Sequence, residues 1–126
     1  MSGDGDEKTT AALTAAEVRA IREGLGITAE WLADHLGVQT RTVQRWESGQ
    51  NQVKPFAVEA LLLLEAEAAK QVRAHLEAFA GPCPDFPAVL DIDDSRQRHD
   101  AWPAGWQRMI AFRVRQETPA LRIIES

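Results

Sequence analysis

One cysteine, Cys83, stands among 126 residues, so the chain can form no internal disulfide. That fits a reducing compartment, with the fold held by packing alone. The first eight residues are polar and acidic with no apolar stretch behind them, so no secretory signal is read. The most apolar run, residues 57–69, is interrupted by Glu59, Glu65 and Glu67 and is too short and too charged to span a bilayer. A cytoplasmic protein with no membrane part is the resulting expectation. Metal chemistry also lacks its usual spacing: His35, His75 and His99 are far apart, and the lone cysteine sits between prolines. There is no phosphate-cradling glycine loop and no context for a serine nucleophile. Asp93-Asp94 reads as a solvated loop rather than a catalytic pair. No enzyme, metal or cofactor is expected.

An excess of positive charge is missing too. The formal net charge is -5, which excludes the uniformly basic surface of a non-specific nucleic-acid binder. The charge is unevenly placed. Between residues 14 and 54, Arg19, Arg22, Arg41, Arg45 and Lys54 balance Glu17, Glu23, Glu30, Asp34 and Glu47, and the acidic surplus lies outside that span.

That neutral span carries the densest local signals. Residues 1–12 read as a disordered lead. Thr14 can cap a first helix, with Glu17 completing a capping box and Leu13 and Val18 forming a staple. Val18, Ile21 and Leu25 recur at helical spacing, and Gly24 and Gly26 end the helix. Thr28 caps a second helix to about His35, with Trp31, Leu32 and Leu36 inward and Ala33 small enough for close approach. Gly37 falls where a turn needs a positive φ or close packing. A third helix runs from about Gln39 to Glu47, burying Val38, Val43 and Trp46, and Gly49 closes it in a left-handed conformation. Two short helices joined by a tight turn, the second with an arginine-bearing outer face, have the form of a helix-turn-helix DNA reader. Core helices alone would not require that exposed Gln/Arg/Thr face.

Pro55 favours the start of a fourth helix. Phe56, Ala60, Leu61, Leu63 and Leu64 give it apolar surface on more than one side, one closing the reader and the other needing a further partner. The pattern continues through Val72, Leu76 and Phe79, with Glu65 as a candidate break, until Gly81-Pro82-Cys83-Pro84 stops it. The domains are thus residues 13–80 and 85–126. In the second, residues 88–92 read as a strand and 93–100 as a polar loop. A helix follows from about Pro103 to Gln116, and Leu121, Ile123 and Ile124 form a closing strand. A lone two-stranded sheet covers too little apolar surface, so this unit needs either the long helix or a second copy of itself. Self-association is the simpler solution and supplies the two-fold symmetry of palindromic operators. Val89, Trp102, Trp106, Ile110, Leu121 and Ile123 are its candidate dimerisation residues, with Trp102 and Trp106 reading equally well as domain core.

Residues 13–64 resemble the phage-repressor (Cro and CI) type of helix-turn-helix family. The likeness is carried by Arg22-Glu23, Gly26-Ile27-Thr28, Leu32-Ala33, Leu36-Gly37-Val38 and Trp46-Glu47-Ser48-Gly49 in order and spacing. The opening at residues 13–22, and the tail from Gly105-Trp106 through Met109-Ile110-Ala111 to the closing strand, look like anti-CRISPR-associated autorepressors and YdiL-type regulators. The implied fold is mainly α, a lambda-repressor-like helix-turn-helix bundle followed by a small strand-helix-strand dimerisation unit.

The resemblance implies that the start of the third helix enters the major groove. Thr40, Arg41, Gln44 and Arg45 are then the base-contact candidates, since arginine pairs bidentately with guanine and glutamine with adenine. Gln39, Thr42, Gln52 and Lys54 become candidates for phosphate contacts, and Arg22 and Glu47 the family's structural ion pair. One departure is Ala29, where the family often places a phosphate-anchoring glutamine. The implied activity is an autoregulatory repressor reading an inverted-repeat operator in double-stranded DNA as a homodimer. Two alternatives stay open: an antitoxin-like module with a protein partner and secondary DNA binding, and an autorepressor that also binds RNA.

Overall fold

The computed structural model describes residues 13–80, 89–92 and 102–125. The lead at 1–12, the stop at 81–84, Cys83 and the loop at 93–100 lie outside the described residues. Among the described residues five helices and two strands follow in order: α1 (Ala15–Gly24), α2 (Ala29–Leu36), α3 (Thr40–Glu47), α4 (Pro55–Phe79), β1 (Val89–Ile92), α5 (Ala104–Glu117) and β2 (Arg122–Glu125). The architecture is mainly α, with one small sheet near the C-terminus. No described helix is long and apolar enough to cross a membrane.

Contacts divide the chain between Glu65 and Ala66, inside α4. The sequence boundary lay beyond residue 80. Glu65 is no break, for α4 is one helix through it. The division instead marks where the helix changes the set of residues it packs against.

In the first unit, local chemistry sets each helix end. The Thr14 hydroxyl accepts the Glu17 N–H at 3.1 Å, and the Glu17 carboxylate accepts the Thr14 N–H at 2.8 Å, a complete capping box. Thr28 caps α2 by accepting the Trp31 N–H at 3.0 Å. Gly37 ends α2 at φ 74°, and Gly49 turns the chain after α3 at φ 79°, where a β-carbon would be strained. The helices bury one face each around Val18, Leu25, Leu32, Ala33, Val43, Trp46, Ala57 and Leu61, all at most 3% exposed. Burial of the valine and leucine side chains among them contributes about 1.5–3 kcal/mol apiece. Trp46 meets Phe56 edge-on, ring centres 6.3 Å apart.

Trp31, Leu36 and Val38 are less enclosed than their helical spacing predicts. All three are half-buried. Trp31 lies at the rim and stacks on His35, centroids 4.9 Å apart. In an eight-residue helix only Leu32 and Ala33 reach the centre, so neighbouring apolar positions fall on its shoulders.

In the second unit, β1 and β2 pair in parallel, Val89 with Arg122 through Ile92 with Glu125. Parallel strands need a crossover, and α5 is the helix between them. Trp106, Ile110, Ala111, Val114, Ile92 and Leu121 form the core, with Ala68 of α4 also fully buried. The Trp106 indole N–H donates to the Gln71 side-chain oxygen Oε1 at 2.8 Å. The Gln71 amide in turn donates to Glu67 at 2.9 Å. Trp102 stacks on Trp106 at 4.2 Å.

This burial corrects the list of dimerisation residues. Trp106, Ile110 and Leu121 are at most 3% exposed and fill the unit's own core, whereas Val89 and Ile123 remain 42% and 38% exposed. Of the two ways to complete the unit, the long helix supplies one.

Candidate nucleic-acid interface

α3 is the centre of the candidate site, and its side chains are sharply sorted. Val43 and Trp46 are buried, while Arg41 and Gln44 are exposed and Thr40, Thr42 and Arg45 half-exposed. Helical spacing explains this: residues 43 and 46 share one face, and 41, 44 and 45 lie on the other. Among the described residues the side chains of Arg41, Gln44 and Arg45 form no hydrogen bond or ion pair. Their donors are open to an outside acceptor.

The one carboxylate on α3 is engaged elsewhere. Glu47 accepts two bonds from Arg22 of α1, from Nε at 2.5 Å and Nη2 at 3.0 Å. The remaining Arg22 nitrogen, Nη1, donates to the Ile27 carbonyl at 3.0 Å. Both side chains are largely shielded, 15% and 12% exposed. The Glu47 hydrogen bond raises the Arg22 pKa above its ordinary value, and burial offsets part of that. The pair therefore does two things. It ties the start of the bundle to the end of α3, and it keeps the helix's only acid away from the outer face. A neutral module thereby presents a locally cationic surface.

The helix start is also open. Gln39 occupies the N-cap of α3 without a side-chain capping bond, unlike Thr14 and Thr28 on α1 and α2. Its carbonyl accepts the N–H groups of Thr42 and Val43. Free amides at a helix start suit a phosphate oxygen. Gln39, Gln52 and Lys54 are all exposed and Thr42 is half-buried.

The turn after α3 adds candidates that sequence reasoning left out. The Ser48 hydroxyl donates to the Arg45 carbonyl at 3.1 Å and accepts the Gln50 N–H at 3.3 Å. The Asn51 N–H also donates to the Arg45 carbonyl, at 3.1 Å. Exposed Gln50 and Asn51 are thus fixed against the end of α3. Their signal was the run of amide side chains Gln50-Asn51-Gln52 directly after the Gly49 turn. Among the described residues no group of three or more His, Cys, Asp or Glu could hold a metal ion.

A family model described as a helix-turn-helix domain matches residues 14–76, half of the chain. No curated protein matches it.

Proposed function

The chain belongs to the helix-turn-helix domain family, a DNA-binding regulator fold, and on that premise we propose that it is a sequence-specific transcriptional repressor. It lays α3 in the major groove of an operator, with Thr40, Arg41, Gln44 and Arg45 on base edges. Gln39, Thr42, Gln52 and Lys54 hold the phosphates. One observation carries this reading: the outer face of α3 keeps Arg41, Gln44 and Arg45 without a protein partner among the described residues, while its only carboxylate is bound to Arg22.

The acidic balance of the chain shapes the proposal. With Ala29 at the start of α2 and a net charge of -5, affinity rests on a narrow patch, and random DNA is bound weakly. Doubling that patch on an inverted repeat favours a homodimer acting on a two-fold operator. The likeness to autorepressors supports repression of its own promoter. The proposal is of a binding protein, not an enzyme.

The test is a titration on duplex DNA from the chain's own upstream region, against a shuffled duplex of equal length. The expected result is a clear preference for the native duplex, lost in Arg41→Ala and Arg45→Ala. Equal affinity for both duplexes contradicts the proposal.

A further inference from the structure

The long helix α4 has two faces, and the described residues cover one. Ala57, Val58, Leu61, Leu64 and Ala68 are buried. On the opposite side Phe56, Glu59, Leu63, Ala66, Lys70 and Arg73 are all exposed, Phe56 by 50% and Leu63 by 64%. They recur at alternating steps of three and four, the repeat of a helix–helix seam. All six lie on a single helix, so their alignment needs nothing beyond helical spacing. Among the described residues Glu59, Lys70 and Arg73 form no ion pair. Exposed Leu63 and Ala66 at the centre of the stripe, flanked by Glu59 and Lys70, offer an apolar contact bordered by charges.

We infer that this stripe is a dimer seam, pairing antiparallel with the same stripe of a second copy about an axis beside the Leu64–Glu65 peptide. The order of the six residues selects the occupant. Reversed on itself, the stripe sets Leu63 against the second copy's Ala66, a large side chain into the space left by a small one. Glu59 meets the second copy's Lys70, and Phe56 meets its Arg73, a cation over an aromatic face. Two-fold symmetry makes each contact twice. Parallel pairing in register would instead oppose Glu59 to Glu59 and Lys70 to Lys70, so charge disfavours it. The inference rests on the homodimer proposed above and gives that dimer its surface.

Sedimentation equilibrium of the full chain tests it, on the wild type, Glu59→Lys, Lys70→Glu and an equimolar mixture of the two variants. Both substitutions are at exposed positions, and circular dichroism checks that helix content is kept. The wild type is expected to be a dimer at micromolar concentration. Each variant alone should weaken association about tenfold or more, since every dimer then carries two like-charge contacts. The mixture should recover association, because the two lysines that one variant carries at positions 59 and 70 then meet the two glutamates of the other. A monomeric wild type overturns the dimer reading itself. A dimer indifferent to both substitutions keeps that reading and overturns this seam, and weakening without recovery in the mixture overturns the antiparallel alignment.

Discussion

Arg22 holds Glu47 by two hydrogen bonds, 2.5 Å and 3.0 Å long, across twenty-five positions of sequence. The contact fastens α1 to the end of α3 and removes that helix's only negative charge from its outer face. Losing either partner leaves the other charge shielded and unpaired. Glu47→Ala or Arg22→Met should each lower unfolding free energy by about 3 kcal/mol, with the double variant less impaired than the two singles summed. Urea denaturation of the four chains checks this. Wild-type stability in either single variant would show that the pair carries no structural weight.

Reading and folding should separate at Arg41, Gln44 and Arg45. Their side chains have no in-chain partner among the described residues, so alanine there should leave the melting temperature unchanged. Specific DNA affinity should fall by about 1–3 kcal/mol per lost base contact. Paired melting curves and binding isotherms measure both, and loss of stability without loss of affinity would assign these residues to the fold.

Gly37 and Gly49 adopt φ of 74° and 79°, with no atom closer than 3.9 Å to a β-carbon built at either. The cost of Gly37→Ala or Gly49→Ala is therefore conformational, about 1–2 kcal/mol each. Thermal unfolding reads it directly, and a stabilising substitution would mean that the turn had relaxed to negative φ.

The tail has its own acid response. The Arg108 hydrogen bond holds the Glu125 carboxyl below its ordinary 4.5. A depressed carboxyl contributes stability above its unfolded pKa, and the contribution is lost as pH falls through the folded value. The Glu125 carboxyl carbon, followed by NMR, should titrate below 4.5, and in Arg108→Ala its midpoint should rise. An unchanged midpoint would show that the contact does not persist in solution.

Local signals were the legible ones. Thr14 with Glu17 announces a capping box because both partners lie within one turn. Gly37 and Gly49 announce positive φ because few other residues tolerate it. The Arg22–Glu47 pair was reachable only through a family likeness, since no local rule joins residues twenty-five apart. Trp106 shows the limit. Its apolar surface fits a dimer interface or a core equally well in sequence, and the outcome depends on Gln71, thirty-five positions away. The extent of α4 was obscured similarly: Glu65 lies on an exposed side, so its charge interrupts the apolar pattern without interrupting the helix. For the candidate interface, the residue types on α3 were readable, whereas the engagement of Glu47 that exposes their charge was not a local property.

Selection of bound duplexes from a random DNA library by the full chain tests the central claim most directly. The expected result is enrichment of one inverted repeat, with enrichment at the contacted positions lost in Arg41→Ala and Arg45→Ala. Absence of any enriched sequence, or a motif unchanged in both variants, would contradict the assignment of α3 as an operator-reading helix.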